Sequence, residues 1–283
     1  PAPARRLPRN PRNAPASAPP PRVRTSAHLL GATALLLWLC ASAGALAAAP
    51  GPLHGARQLV LVTTADWDAN QGVAARYERD TDAAAWRQIA AFPVSIGRHG
   101  SAWGSGLHPA TDVDAGPVKR EGDGRSPAGV FALGTAFGYA GQASTGLPYA
   151  QMQSDSWCMD VPDSPLYNRI VDAREVGQAA VAGSTEPMRL DLHRQGDPRY
   201  RLGLVIEHNA DSVPRAGSCI FAHLWRTPGE VTAGCTAMAD ADMEALLAWL
   251  DADQSPRFVL LPQAQRQRLA TAWNLPTAHG DAP

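Results

Sequence analysis

A cysteine and a histidine within residues 217–238 (GSCIFAHLWRTPGEVTAGCTAM) are the side chains best suited to chemistry. His223 stands at the end of a predicted strand, and Cys235 follows twelve residues later, after a loop that contains Gly and Pro. A loop of that length can fold back and bring the imidazole beside the thiol. An imidazole in that position removes the thiol proton and later hands a proton to a leaving amine, which is nucleophilic acyl chemistry.

The thiol needs this partner because a free cysteine has a pKa near ~8.5 and is mostly protonated at neutral pH. Gly234 lets the backbone approach a substrate closely, so the amides of Gly234 and Cys235 are predicted to face the oxyanion of a tetrahedral intermediate. Cys235, His223 and Gly234 are therefore the predicted catalytic residues. The alternative is a buried cysteine and a strand-end histidine with structural roles only, which their spacing does not exclude.

The remaining cysteines bear on the state of that thiol. Beyond the N-terminal segment the chain has Cys158, Cys219 and Cys235, an odd number that allows three pairings in an oxidising compartment. A Cys158–Cys219 disulfide is favoured because Cys235 sits in a Gly-flanked loop, whereas the other two lie among strand-like residues. The sequence has no C-x-x-C, no H-E-x-x-H and no tight His/Cys cluster, so neither a metal nor another cofactor is predicted.

Short strands must position these residues. Aromatic residues make up only 6% of the chain, and it has 25 Gly and 25 Pro, which favours a β-rich architecture. Strands are predicted at 58–64, 73–79, 86–96, 130–133, 188–193, 203–208, 218–225 and 258–261. The strands between 188 and 225 have no helical pattern between them, so antiparallel pairing is expected there.

Two helices are predicted near the C-terminus. Asp240 is expected as the N-cap of the first, since an apolar stripe at helical spacing follows it from Met243 to Leu250. A shorter helix is predicted over 263–273. With no internal repeat and no linker after residue 57, a single domain over residues 57–275 is the economical interpretation.

Residues 1–49 have a different character from the rest. Residues 1–24 are rich in Pro, Arg and Ala and are expected to be disordered. An apolar run at 29–39 and small residues ending in ALAAA at 45–49 then follow the order of a secretory signal peptide. The predicted location is therefore periplasmic or otherwise extracytoplasmic. A retained membrane anchor is the alternative, although the run is short for a span of roughly 20 residues.

Charge excludes some partners. Residues 1–49 contain six Arg and no acidic residue, so the remainder has 19 basic and 26 acidic residues, a net charge of about −7. Such a domain has no electrostatic basis for binding nucleic acid or anionic lipid. No stable membrane span is expected after signal cleavage, and the sequence has no signal for an oligomeric state.

The chain resembles the L,D-transpeptidase catalytic domain family (YkuD-like), as a divergent branch. That family has a His, a loop, and then Ser or Thr, a variable residue, Gly and Cys, matched here by His223 and by 232–235 (TAGC). Similar stretches occur at 95–106, 121–131 and 157–168, and the similarity covers roughly 58–262. The resemblance implies a β-rich α+β fold, a β-sandwich of mixed sheets with a few short helices.

The resemblance also implies cell wall biogenesis and a role in cell shape. In the family, the cysteine attacks the carbonyl of the third residue of a peptidoglycan stem peptide and expels the terminal D-alanine. The acyl-enzyme is then resolved by an amine or by water. Two alternatives remain open here. One is an L,D-carboxypeptidase that uses water as acceptor, and the other is a non-catalytic envelope protein that binds peptidoglycan.

Two departures from the family pattern concern substrate binding. Ala233 stands where many members have His, and Ala237 where many have an Arg that helps to hold substrate. Arg226 is a candidate replacement, Trp225 and His208 are candidates for lining the cleft, and Thr232 is expected to brace the loop. No side chain that orients His223 is identifiable, which leaves a backbone carbonyl as a candidate.

Overall fold

A computed structural model describes residues 50–277, and this range is rich in strands. The predicted N-terminal disordered segment and signal peptide lie outside the described residues. The strands are β1 (Gln58–Thr64), β2 (Gln71–Glu78), β3 (Arg87–Ser95), β4 (Ser101–Trp103), β5 (Ser126–Gly138), β6 (Tyr149–Gln151), β7 (Ser156–Cys158), β8 (Ile170–Asp172), β9 (Glu186–Pro187), β10 (Leu202–Ile206), β11 (Phe221–Leu224), β12 (Thr236–Met238) and β13 (Arg257–Pro262).

The helices are short. They are α1 (Ala173–Val176), α2 (Leu190–His193), α3 (Asp240–Trp249) and α4 (Gln263–Leu269), with single 3₁₀ turns at Ala110–Asp112, Gln178–Ala180 and Ala252–Gln254. Strand residues outnumber helical ones, which confirms the predicted β-rich α+β fold with a few short helices.

The main sheet closes on itself. Its strand order is β10-β11-β12-β3-β2-β1-β13-β5-β4, and β10 also pairs with β5. β1 pairs with both β2 and β13, and its apolar centre, residues 59–62, is buried on both faces. The core inside this sheet contains side chains such as Phe131, Leu260 and Met243, all fully buried. β11, which carries His223, and β12, which Gly234 and Cys235 directly precede, are neighbours in this closed sheet.

The main sheet contains parallel strand pairs that the sequence did not predict. β10 and β11 are antiparallel, as predicted, but β11 pairs with β12 in parallel, and β1 pairs with β13 in the same way. The β11–β12 connection is an irregular loop over 225–235 that returns the chain to the starting end of β11. A parallel pair without a helical crossover has no periodic signature, so the sequence pattern did not reveal it.

A second, three-stranded sheet lies outside the main one. Its order is β8-β7-β9, and it packs on a small apolar cluster that includes Met159 and Val181. The predicted strand at 188–193 is wrong, because four of its residues form the single helical turn α2. Met188 and Leu190 are buried but Leu192 is exposed, so the alternation of apolar residues did not mark one buried strand face.

Helix α3 forms where the apolar stripe predicts it. Met243, Leu246 and Leu247 are buried against the main sheet. The predicted cap is wrong by one residue: Ala239 is the N-cap, without a side-chain hydrogen bond, and Asp240 lies in the first turn. An acidic residue there is favourable because the helix N-terminus carries partial positive charge. In the range 50–277, no helix has both the length and the apolar character needed to cross a bilayer.

Candidate active site

The pairing of β11 with β12 brings His223 and Cys235 to one face of the main sheet. His223 lies opposite Ala237, and Ala222 lies opposite Thr236. Side chains two residues apart on a strand point to the same face. Cys235, two residues before Ala237, therefore faces the same side as His223. The parallel register converts a separation of twelve residues into proximity on adjacent strands.

Cys235 is a buried free thiol in this arrangement. Its Sγ donates to the Cys219 carbonyl at 3.4 Å and accepts the Phe221 N–H at 3.3 Å. Burial, followed by the nearby Glu186 carboxylate, raises the pKa of Cys235 to about 12. The sulfur at rest is therefore a neutral thiol and not a thiolate.

His223 is buried beside it and is also neutral. Its Nδ1 lies 2.7 Å from the Leu224 carbonyl, and because a carbonyl only accepts hydrogen bonds, Nδ1 carries the ring proton. Nε2 is then the unprotonated nitrogen, free to act as a base. Burial lowers the pKa of His223 to about 4. The Tyr200 ring packs edge-on against the imidazole, with 5.2 Å between ring centroids.

The loop before Cys235 is fixed by its own hydrogen bonds. Thr232 Oγ1 donates to the Cys235 carbonyl at 2.6 Å and accepts the Gly234 amide at 3.1 Å. Ser126 Oγ also donates to the Cys235 carbonyl, at 3.1 Å. The backbone of Thr232 bonds on both sides to the segment after β3, through Ile96 and Arg98. Thr232 thus has the position of a brace for the nucleophile loop.

The hydrogen bond of Gly234 bears on the oxyanion site. Its amide is engaged by Thr232 Oγ1, whereas the Cys235 amide has no hydrogen-bond acceptor among residues 50–277. The Cys235 amide is therefore the donor of this pair that is open to a substrate oxygen. A Cβ at 234 would lie 3.1 Å from the Arg125 carbonyl oxygen and 3.3 Å from Ile220 Cδ1, so glycine lets the loop pack this closely without a shift of its neighbours.

A cavity of about 270 Å³ opens beside Cys235 and His223. Thr232, Ala233 and Gly234 form part of its wall. Its charged lining residues are Arg98, Lys119, Glu121, Asp160, Glu186, Arg194 and Arg199. A cavity with both signs of charge around a neutral nucleophile suits a short peptide that carries carboxylates and amines.

Several lining residues were not predicted from the sequence. Tyr200 Oη donates to Glu186 Oε1 at 2.5 Å, and this pair lies against the two candidate catalytic residues. Burial raises the pKa of the Glu186 carboxyl. No spacing in the sequence connects Glu186, Arg199 and Tyr200 to Cys235. The nearest signal is a cluster of charged residues between two predicted strands.

Three of the predicted substrate contacts lie elsewhere. His208 is buried with its Nε2 bonded to the Ala216 carbonyl at 3.0 Å, and it lines a separate cavity of about 330 Å³. Arg226 forms an ion pair with Glu230, its Nε donating to Oε1 at 2.8 Å. Trp225 is half-buried after the end of β11. None of the three lines the cavity with Cys235.

The other two cysteines form a disulfide. Cys158 at the end of β7 is bonded to Cys219, just before β11. Cys219 has a positive φ of 54° and lies in a loop, although the sequence suggested a strand there. The bond ties the three-stranded sheet to the segment whose carbonyl accepts the hydrogen bond of the Cys235 thiol. Within 50–277, no cluster of three His, Cys, Asp or Glu side chains is arranged to hold a metal ion.

Replacing both Cys158 and Cys219 by Ala is expected to lower the free energy of unfolding by about 2–4 kcal/mol. The bond closes a loop between residues 61 positions apart, so its loss enlarges the conformational freedom of the unfolded chain. Urea denaturation followed by circular dichroism measures the change. Wild-type protein under reducing conditions is the control and should lose a similar amount. Equal stability of the oxidised and double-variant proteins would contradict the prediction.

Comparison with protein families identifies the domain. The family model for the L,D-transpeptidase catalytic domain (YkuD) matches residues 68–259, which is well over half of the chain. A comparison with curated proteins and one with solved structures each found no match. The matched region includes most strands of the closed sheet, both candidate catalytic residues and the residues that line the cavity beside them. The chain therefore belongs to the YkuD family of L,D-transpeptidase catalytic domains.

Proposed function

We propose that this protein is an exported cysteine acyltransferase that acts on peptidoglycan stem peptides through an acyl-enzyme on Cys235. The family supports L,D-transpeptidase-like activity and peptide substrates from peptidoglycan. One observation carries the assignment of the nucleophile: a free thiol just before β12 and an imidazole on β11, with an unprotonated Nε2, line one cavity. The catalytic domain is proposed to span 57–275.

In the first step, the sulfur of Cys235 bonds to the carbonyl carbon of the third stem residue while its proton passes to Nε2 of His223. The bond from that carbon to the nitrogen of the terminal D-alanine then breaks, and Nε2 returns the proton to the departing amine. Before this step the thiol must give up its hydrogen bond to the Cys219 carbonyl. The Cys235 amide is positioned to donate to the developing oxyanion.

In the second step, an amine of another stem peptide attacks the thioester carbon. Nε2 of His223 accepts the proton of that amine, the carbon–sulfur bond breaks, and the proton returns to the sulfur. The net result is an exchange of one amide bond for another, without a cofactor. Water in place of the amine gives the carboxypeptidase reaction through the same thioester.

Export is proposed together with the activity, because the substrate lies outside the cytoplasm. The Cys158–Cys219 disulfide supports this location, since structural disulfides persist in oxidising compartments. Cell fractionation with antibody detection tests it. Protein confined to the cytoplasmic fraction, with all three cysteines of the domain open to alkylation, would contradict the proposal.

The experiment for the activity is incubation of the mature protein with a disaccharide tetrapeptide, followed by mass spectrometry. The expected products are D-alanine and a cross-linked dimer, with a transient gain in protein mass that equals the acyl tripeptide. Tripeptide without dimer would identify water as the acceptor. Retention of the intact tetrapeptide, with binding but no product, would instead identify a binding protein.

The pH dependence follows from the neutral pair. We expect kcat/KM for the tetrapeptide to be level from roughly pH 6 to 9 and to fall below about pH 4, where His223 becomes protonated and cannot accept the thiol proton. The rate falls on the acid side because His223 is an unprotonated base only above its pKa, which burial lowers. A steady-state pH profile measures this, with circular dichroism at each pH as the control for folding. An acid limb centred near ~6.5, the value of an exposed histidine, would contradict it.

A further inference from the structure

Arg199 has a guanidinium group held in one plane by a single carboxylate. Its Nε donates to Asp197 Oδ1 at 3.0 Å, and its Nη2 donates to Oδ2 at 2.6 Å. The backbone amide of Arg199 donates to the same carboxylate at 3.1 Å. Only 4% of the Asp197 side chain is exposed, so this ion pair is shielded from solvent. A buried bidentate pair of this kind fixes both the position and the plane of the guanidinium.

The pairing leaves one edge of that guanidinium open. Arginine has five N–H donors, and Asp197 occupies the side edge formed by Nε and Nη2. Nη1 donates no hydrogen bond to any of residues 50–277, and Arg199 lines the cavity with 22% of its side chain exposed. The end edge, formed by Nη1 and the second proton of Nη2, is thus available to a second carboxylate in the bidentate geometry that arginine favours.

The open edge is close to the candidate catalytic residues. The Leu224 amide donates to the Arg199 carbonyl at 3.1 Å, which fastens residue 199 beside the end of β11. The next residue, Tyr200, packs against the ring of His223. In a stem peptide the terminal carboxylate lies one residue, about 3.8 Å of chain, from the carbonyl that is attacked. Arg199 lines the same cavity as His223 and Cys235, so a peptide bound there with its carbonyl at Cys235 brings its terminal carboxylate into the part of the cavity that Arg199 serves.

The other cations of the cavity are less suited to this role. Lys119 Nζ donates to Asp123 Oδ1 and to the Arg120 carbonyl, both at 2.6 Å, so its donors are largely engaged. Arg194 is exposed and donates to the Thr185 carbonyl at 2.6 Å. Arg98 is exposed as well. Arg199 alone among these combines a fixed plane with an open edge.

We propose that Arg199 anchors the terminal carboxylate of the stem peptide and so restricts the enzyme to peptides that end at the residue to be expelled. This inference rests on the proposed function and adds to it the residue that determines specificity. Asp197 is a positioning residue, because it acts by orienting Arg199. A peptide with a carboxamide in place of the carboxylate loses the charge that Arg199 binds.

The test compares two tetrapeptides, one with a free terminal carboxylate and one with a terminal carboxamide. Isothermal titration calorimetry on Cys235→Ala protein measures binding without turnover. With Arg199 present, the carboxylate peptide is expected to bind about tenfold to a hundredfold more tightly. Arg199→Gln should bring the two dissociation constants within about threefold of each other, by weakening the carboxylate peptide alone. Arg199→Lys keeps the positive charge but loses the bidentate geometry of the guanidinium, so it should retain a reduced preference for the carboxylate peptide.

Arg201→Gln is the matched control. It removes the same charge two residues away, from an exposed side chain that pairs with Asp240 on α3 and does not line the cavity. This variant should keep the full preference for the carboxylate peptide. Circular dichroism verifies the fold of each variant, and Arg199→Lys preserves the ion pair with Asp197 if Arg199→Gln fails to fold.

The proposal is overturned if the protein with Arg199 binds the two peptides equally, or binds neither, or if Arg199→Gln keeps the preference. A separate turnover assay with Cys235 intact measures release of D-alanine and of D-alaninamide. Absence of both products alongside selective binding would reject the proposed acyl transfer while leaving the carboxylate anchor in place. Failure of the carboxylate anchor and failure of the proposed acyl transfer therefore give different results.

Discussion

Cys235→Ala is expected to lower the release of D-alanine from a stem tetrapeptide by at least about a thousandfold. Without the sulfur no thioester forms, and the transient gain in protein mass disappears with it. The fold should persist because the side chain loses one buried atom, and its hydrogen bonds with Phe221 and Cys219 involve a weakly polar sulfur. D-alanine release followed by chromatography, with intact-mass analysis of the protein, measures both effects.

The control for this variant is the protein without Cys158 and Cys219. This variant lacks two sulfur atoms but keeps Cys235. The fraction of it that remains folded should therefore still release D-alanine and show the transient gain in protein mass. Binding of the tetrapeptide to Cys235→Ala should stay near the wild-type affinity, since the cavity wall is otherwise unchanged. D-alanine release by Cys235→Ala at the wild-type rate would reject the nucleophile assignment.

His223→Gln is expected to lower kcat by about a hundredfold to ten-thousandfold, with KM much less affected. A neutral thiol with a pKa of about 12 does not ionise at neutral pH, so the reaction depends on a base that takes the proton during attack. Glutamine can fill the space of the ring but cannot accept and return that proton. Steady-state kinetics on the tetrapeptide between pH 6 and 10 measure the loss, roughly over the range in which the wild-type profile is level.

The readout that separates a base from a structural histidine is the pH profile of the variant. Without His223, the residual rate should rise with pH as the thiol ionises, whereas the wild-type rate is level. His54→Gln is the matched control, because His54 is exposed, pairs with Asp82 and does not line the cavity. Unchanged kcat in a folded His223→Gln protein would show that another group removes the proton.

The neutral state of the pair has a physical origin in the fold. His223 and Cys235 are both buried, and transfer of charge into such a site is costly unless a partner compensates it. Glu186, which accepts a hydrogen bond from Tyr200, disfavours a thiolate at Cys235 further. An imidazolium–thiolate ion pair at rest is therefore unfavourable. In the proposed reaction, the buried thiol depends on His223 to take its proton during attack.

Local signals in the sequence were sufficient for much of the framework. The apolar run of residues 58–64 predicted β1 at its observed bounds, and the stripe from Met243 to Leu250 predicted α3. The TAGC motif at 232–235, preceded by His223, singled out the two candidate catalytic residues. Each of these signals is contained in a short stretch of chain, where periodicity and turn chemistry act directly.

The errors occurred where distant contacts outweigh local pattern. Residues 188–193 alternate like a strand, but they form one helical turn, in which Leu190 packs in an apolar cluster with residues distant in sequence such as Phe137 and Phe221. Asp240 has the properties of an N-cap, but α3 begins one residue earlier than predicted, with Ala239 as N-cap and Asp240 in the first turn. His208 and Arg226 are close to the motif in sequence, and their observed partners, Ala216 and Glu230, hold them away from the cavity.

By itself the sequence determined which side chains are candidates for acyl transfer, the family to which the domain belongs and most strands of the closed sheet. Tertiary structure alone decided the protonation of Cys235 and His223, the tautomer set by the Leu224 carbonyl, and the place of Arg199 in the cavity wall. The physical reason is that reactivity is a property of single side chains, whereas burial and hydrogen-bond partners come from segments far apart in the chain.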